Sequence, residues 1–472
     1  MTAPRAIEIG STAWRIARAE RVAFLVDAED YFAAFIDAVS RARRSVLILA
    51  WDIDSRLKLV RDAEHDDGDR DLQTVLTDTL ERQPELEVRI LCWDFSPIYA
   101  MERELLTRFK LDWGGHDRLH FRFDDSHPLG GSFHEKIVVI DDRVAFIGGI
   151  DLGPRRWDTS DHRPDDGRRT SPTGGSYRPF HDVQTVVEGD VAAALGELAR
   201  ERWERATGER LDPPGDHGDP WPAGIEADIE DLEVAVVRTR PETGDAAAMR
   251  QTQRFHERLF DLAEHRIYAE NQFLTSDAMS DALARTLRRE DPPEMLLVTA
   301  KENSGWLETA IMGGLRARFC RRLRDADHAG RVDIRCPVVG DGVWPNVHSK
   351  LTIVDDRWAY LGSANWANRS MGLDTECGLG IDGSGRDDVC AALRALRIRL
   401  LAEHLGVDPG DYEETERQRG LLGAIESLVG GDRTLQPLAA DEPELGQMLE
   451  PVARIADPDH PLRLGELIDD VL

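Results

Sequence analysis

Two stretches of this chain repeat one pattern of polar and apolar positions. Residues 133–140 alternate weakly and then become the apolar run Ile137-Val138-Val139-Ile140, and residues 347–354 behave the same way. Each run closes on an Asp-Asp pair, and a second short apolar segment follows at 144–147 or 358–361. β-Branched runs ended in this manner predict a strand, a tight turn and a return strand. Similar elements precede each copy. In the first half the pattern predicts a helix over 31–42, a strand over 45–51, a helix over 72–82 and a strand over 87–92. The second half repeats this with a helix over 254–264, a strand over 266–270, a helix over 279–289 and a strand over 295–299. A further helix and strand come next, 99–109 with 119–123 and 307–324 with 332–336. Beyond each motif lie a helix-prone stretch and a strand, 182–187 or 376–381.

Alternating strand and helix predicts an α/β fold. Because the series occurs twice, two similar α/β lobes are expected, related by a pseudo-two-fold axis with an active site between them. A Pro-, Gly- and Asp-rich linker, 208–222, separates a first lobe at 1–207 from a second at 223–405. Residues 406–472 form an acidic, amphipathic tail, with helices expected at 421–428 and 464–472. Residues 158–178 are polar and Gly-rich, and are expected to form a loop on the rim of the site.

Composition narrows the function. A chain of 472 residues, 41% hydrophobic, can bury ample cores as an ordinary globular protein. Its net charge of -30 works against broad nucleic-acid binding, which needs cationic surface and counterion release. It also opposes adsorption to an anionic membrane. Five scattered cysteines without a C-x-x-C fit reduced thiols in the cytoplasm. The first residues hold no apolar signal segment, and apolar runs such as 46–51 are strand-sized.

Both repeated strands open on the same chemistry. The first reads His134-Glu135-Lys136 and the second His348-Ser349-Lys350, each an H-x-K-x4-D that ends at Asp141 or Asp355. Of 59 basic residues only five are lysine: Lys58, Lys110, Lys136, Lys301 and Lys350. Lysine in both motifs therefore points to a need for a compact ammonium, not a planar guanidinium. Residues two apart on a strand share a face, so His134 projects with Lys136, and His348 with Lys350. Such a pair suits an anionic electrophile. The ammonium neutralises phosphate oxygens, while the imidazole attacks phosphorus or moves a proton. A single histidine on a strand is more often structural, but two copies with matched flanks reverse that expectation. One can be nucleophile and the other general acid.

Asp182 and Glu376 hold equivalent places, just inside the strand after each motif. A carboxylate on an imidazole fixes its tautomer and stabilises the imidazolium, so these two are the expected supporting carboxylates. Asp141 and Asp355 follow the lysines by five residues and are expected to shape turns or pair with a basic residue. No metal-ligand spacing is visible, so no metal or cofactor is expected. Trp51-Asp52 and Trp93-Asp94-Phe95-Ser96-Pro97 fall at the carboxyl ends of predicted strands, where α/β sites form. Their rings are candidate pocket walls, with core packing an equal alternative for Trp51.

These residues resemble the phospholipase D superfamily, whose signature is a duplicated H-x-K-x4-D-x6-G-S-x-N. The second copy matches throughout, at His348, Lys350, Asp355, Gly362, Ser363 and Asn365. The first ends instead in Gly148-Gly149-Ile150-Asp151, with Gly for Ser and Asp for Asn. This form, with Arg156-Trp157-Asp158, Pro179-Phe180-His181-Asp182 and Tyr268-Ala269-Glu270-Asn271-Gln272-Phe273, is similar to phospholipase D enzymes proper. The resemblance implies a catalytic set of His134, Lys136, Asp141, His348, Lys350 and Asp355, with Ser363 and Asn365 binding substrate. An ionised Asp151 would repel a phosphate, so it is expected to orient a neighbour or sit back from the anion.

The activity implied is hydrolysis or transphosphatidylation of glycerophospholipids through a phosphohistidine, with His134 as nucleophile and His348 as general acid. The partners implied are a phospholipid, a water or alcohol acceptor, and peripheral contact with a membrane or lipid aggregate. A cytoplasmic monomer is expected. The alternatives are another phosphodiesterase, such as a nuclease, and a non-catalytic protein that binds a phosphate ligand. The acidic charge disfavours the first and two intact motifs disfavour the second.

Overall fold

The computed structural model describes residues 6–61, 70–94, 113, 116–215, 218–243, 247–301, 306–438 and 450–462. Its first half contributes β1 (Arg15–Val26), β2 (Ser45–Ala50), β3 (Glu87–Trp93), β4 (Leu119–Asp124), β5 (Ile137–Ile140), β6 (Val144–Gly148) and β7 (Val183–Glu188). The second contributes β8 (Ile229–Arg240), β9 (Arg266–Asn271), β10 (Glu294–Val298), β11 (Val332–Val339), β12 (Lys350–Val354), β13 (Trp358–Gly362) and β14 (Glu376–Asp382). With β15 (Arg433–Pro437) and the short strand Met249–Arg250 they form one 16-stranded sheet. The long antiparallel pair β1/β8 lies at its centre. Outward from β1 the order is β7-β6-β5-β2-β3-β4, and outward from β8 it is β14-β13-β12-β9-β10-β11. The same path is thus taken twice, and the mixed α/β class read from the sequence holds.

Helices cover both faces. They are α1 (Asp27–Ser40), α2 (Leu72–Arg82), α3 (Asp190–Thr207), α4 (Gln251–Leu262), α5 (Asp277–Leu287), α6 (Trp306–Ala326), α7 (Asp387–Leu405) and α8 (Pro409–Leu428). Leu195 and Leu198 of α3 and Leu393 and Leu400 of α7 share a core with Leu47, Leu49, Val139 and Ile353. On the other face, Phe32, Phe35 and Leu76 pack with Val46, Ile48 and Val138. Phe255, Leu283 and Phe319 do the same for the second half. Alternate residues of one strand therefore enter different cores. That is why the motif strands read as unbroken apolar runs and not as alternation.

Several elements differ from the sequence expectation. The central strands β1 and β8 carry polar residues in their first halves and give no clean period. Helices α3 and α7 were not anticipated. Between motif and strand only the second half has a helix, Asn368–Gly372, while in the first half residues 151–179 form a loop. Helix α1 begins at Asp27, because that residue turns directly out of β1 with φ 64°. The linker 208–222 has no regular structure among its described residues. The tail helix expected at 421–428 is the second part of α8, after a break at Gly420, where φ is 77°. Strand β15 adds the tail to the sheet beside β11. The predicted helices 99–109 and 464–472, and Phe95-Ser96-Pro97, lie outside the described residues.

Asp141 and Asp355 do different work from the histidines. Both turn in the left-handed region, with φ 52° and 54°. The Asp141 carboxylate accepts from the amides of Arg43 (2.7 Å), Arg44 (2.8 Å) and Ser45 (2.7 Å). Asp355 accepts from Glu264 (2.7 Å), His265 (2.8 Å) and Arg266 (2.7 Å). Each ties the turn after its motif strand to the entry of β2 or β9. A strand of five residues, roughly 16 Å, separates them from the motif lysines. Asp141→Ala or Asp355→Ala should therefore cost roughly 2–5 kcal/mol in denaturant unfolding, since charged hydrogen bonds to backbone are lost. Turnover per folded molecule should hardly change. Lost turnover at full stability would return these aspartates to the site.

Candidate active site

The two halves are stitched crosswise. The segment entering the first motif docks on the second half, where Phe133 bridges Thr375 and His134 N–H donates to the Thr375 carbonyl at 2.9 Å. The segment entering the second motif docks on the first half. There Asn346–Val347 pairs in parallel with Phe180–His181, and His348 N–H donates to the His181 carbonyl at 2.8 Å. The residue after each docking point is a supporting carboxylate. His134 Nδ1 lies 3.0 Å from Glu376 Oε2, and His348 Nδ1 lies 2.7 Å from Asp182 Oδ2. Each histidine is thus held by the carboxylate of the opposite half.

The lysines differ in their partners. Lys136 Nζ pairs with Asp151 Oδ2 at 3.1 Å and donates to the His134 carbonyl at 3.1 Å. Asp151 also accepts from the Trp51 amide at 3.1 Å, so it orients a neighbour, as expected. Lys350 Nζ donates to the neutral Gln272 Oε1 at 3.2 Å and to the His348 carbonyl. It also lies 3.0 Å from His348 Nδ1.

The departure of the first motif at Gly149 has a steric cause. A Cβ there would lie 2.2 Å from Asp182 Oδ1. Asp182, one methylene shorter than Glu376, keeps its carboxylate against the backbone and needs a residue without a side chain. In the second half Ser363 occupies the equivalent place, and its hydroxyl donates to Glu376 Oε2. Ser363 is fully buried and also meets the backbone of Cys377, so its hydroxyl orients Glu376. Asn365 is also buried, with no hydrogen-bond partner for Oδ1 among the described residues.

Burial governs the charge of the site. It drives both imidazoles well below their ordinary pKa, reinforced at His134 by Lys136 and Lys350 and at His348 by Lys350 and Arg156. Burial likewise raises Asp182 to about 7 and, with help from Asp374, Glu376 to about 8. Lys350 falls to about 7 by burial. Where its partner is ionised, above about 7 for Asp182 and about 8 for Glu376, a neutral imidazole can turn Nδ1–H toward the carboxylate and leave Nε2 as a base or nucleophile.

Aromatic rings wall the site. Trp51 stacks on Trp93 with centroids 5.8 Å apart and meets His134 edge-on at 5.7 Å. The Phe180 ring lies 5.3 Å from His348, and the Arg156 guanidinium lies over that ring, 5.4 Å from its centroid. Arg156 and Gln272 had no assigned role in the sequence reading, although both stand in its quoted motifs.

The model of a family described as "Cardiolipin synthase, PLD-like domain" matches residues 257–395. "Phospholipase D A" of Dictyostelium discoideum is 25% identical, over 82% of this chain and 36% of its own length. "Phospholipase D alpha 1" of Carica papaya is 24% identical, over 82% of this chain and 65% of its own. The chain therefore spans about a third of one curated relative and under two thirds of the other. Among solved structures, phosphatidylserine synthase of Haemophilus influenzae Rd KW20 superposes with a TM-score of 0.56. It covers 86% of this chain and 93% of its own at 14% identity, a likeness of fold. Among the described residues no helix is long and apolar enough to cross a membrane. In its paired motifs, in the domain model matched over residues 257–395 and in the names of these relatives, this chain is similar to the phospholipase D superfamily.

Proposed function

We propose that the chain is a phospholipase D-type phosphodiesterase acting on glycerophospholipids. The observation that carries this reading is the crosswise pairing of His134 with Glu376 and of His348 with Asp182, each beside a motif lysine. Two basic nitrogens and two ammonium groups then converge on one phosphate. Nε2 of His134 attacks phosphorus, forming an N–P bond as the P–O bond to the head group breaks. For this step His348 enters as the imidazolium, with a second proton on Nε2, and gives that proton to the departing oxygen. Arg156 beside it makes its imidazolium a readier donor. His348 then takes a proton from water or an alcohol, whose oxygen attacks phosphorus and breaks the N–P bond. Lys136, Lys350 and Asn365 hold the phosphate oxygens. The repeated strand order supports a pseudo-two-fold relation between units 1–207 and 223–405, with the site at their junction. The names of the relatives support a lipid substrate.

The test offers phosphatidylcholine, phosphatidylethanolamine and single-stranded DNA at low salt, with and without ethanol. A covalent intermediate separates head-group departure from acceptor arrival. Ethanol should therefore divert phosphatidic acid to phosphatidylethanol while head-group release continues. Release without any such partition would indicate direct attack by water. DNA cleavage with inert lipids would move the protein to the nuclease reading.

The pH profile offers a second check. Burial lowers Lys350 to about 7, so its ammonium is present below that pH and lost as pH rises through it. The kcat/KM for an anionic phosphodiester should fall along that alkaline limb. Lys350→Arg should lower activity, because a guanidinium is larger and planar, yet flatten the limb, because it stays charged. An unchanged limb in the variant would assign it to another group. The same swap at Lys58 should be nearly silent.

A further inference from the structure

Behind the histidines lies a second buried cluster that the phosphodiester chemistry does not use. Asp27 at the start of α1, His162 in the loop 158–178, His181 before β7 and Glu403 on α7 bring one donor atom each to within 4.8 Å of one another. His162 Nε2 lies 3.1 Å from Glu403 Oε1 and 3.5 Å from Asp27 Oδ2. His181 Nδ1 lies 3.1 Å from Asp27 Oδ1 and 3.2 Å from Glu403 Oε1. Zinc with nitrogen and oxygen ligands at about 2.0–2.1 Å sets tetrahedral edges of about 3.3 Å, close to the 3.1 and 3.2 Å from Glu403 Oε1 to the two imidazole nitrogens.

Hydrogen bonding alone accounts poorly for this convergence. Neither contact of His181 Nδ1 has hydrogen-bond geometry, and Asp27 Oδ2 has no hydrogen-bond partner among the described residues, although both residues are fully buried. The far nitrogen of each imidazole is already engaged by a carboxylate. His162 Nδ1 meets Asp158 Oδ2 at 3.0 Å, and His181 Nε2 meets Glu270 Oε2 at 2.9 Å. That is the arrangement by which proteins orient metal-binding histidines. Asp158 is fixed in turn by Arg169 at 3.0 Å, and Glu270 by His404 at 2.9 Å. Four carboxylates, three of them fully buried, meet here against Arg169 and the imidazoles of His162, His181 and His404, and a dication would offset part of their charge. Asp27 and His162 also hold left-handed backbone, with φ 64° and 45°, a conformation that non-glycine residues keep where surroundings impose it.

We propose that Asp27, His162, His181 and Glu403 bind one structural zinc ion. The ion would pin the loop 158–178 and α7 to the segment that carries Asp182, and whose His181 carbonyl accepts from His348. It takes no part in the reaction, so the proposal stands apart from the phospholipase D reading. The ligands come from positions 27, 162, 181 and 403, which is why no spacing in the sequence announces them.

The full chain, produced with zinc, purified without chelator and desalted, should carry close to one zinc per molecule by elemental analysis. Cobalt(II) in its place should give the visible bands of a tetrahedral site. Glu403→Gln and His162→Gln should each weaken zinc by more than ~100-fold, beyond the ~10–100-fold of losing a supporting hydrogen bond. His348→Ala, which touches no ligand side chain, should keep its zinc. Wild-type protein that holds no zinc after reconstitution, or binds it no better than the variants, would overturn the proposal. If the variants do not fold, wild-type stoichiometry and the cobalt spectrum decide the matter alone.

Discussion

His134→Ala and His348→Ala should each lower turnover by at least ~10²–10⁴-fold, the usual contribution of a positioned acid or base, and more where the nucleophile is lost. The reason is geometric. Each motif brings its own histidine, but each histidine is braced by the other half, so neither half contains a complete site. The double variant should be little worse than the worse single one, because groups that act as a unit are not additive. Turnover on a soluble short-chain phospholipid, scaled to folded protein, is the measurement. Near-wild-type rates in either single variant would mean two independent sites.

Asp182→Asn and Glu376→Gln should be nearly as damaging, on the scale of ~10³–10⁴-fold. An amide that donates to Nδ1 drives the proton to Nε2 and removes the lone pair the chemistry needs. Crosswise bracing makes this prediction specific. Glu376→Gln should shift the NMR titration of His134 and leave that of His348 largely in place, and Asp182→Asn should do the reverse. A shift within the same half would contradict the observed pairing. Both carboxylates are fully buried, so the amide substitutions, which keep shape, are preferable to alanine.

The pairing of each motif histidine with its lysine was legible because it is local. His134 with Lys136, and His348 with Lys350, stand two apart on strands, and a period of two places them together without further information. The α/β class was legible for the same reason, since the apolar runs of β5 and β12 are bounded by turn residues. Asp182 and Glu376 were legible as a matched pair, by their equivalent places. Which histidine each one serves was not, because Thr375 and His181 reach the opposite motif through short backbone pairings outside the main sheet. The central strands β1 and β8 were missed because their polar first halves hide any period. Folding also separates residues that one motif joins. Asp141 and Asp355 follow the motif lysines closely in sequence, yet a strand carries them to the far end of the sheet, where they bind backbone amides. Gly149 reads as a lapse from the signature until the Asp182 carboxylate is seen in the space a side chain would fill. Local spacing specifies which groups share a face. Only the tertiary structure, which brings distant segments into register, specifies which groups meet.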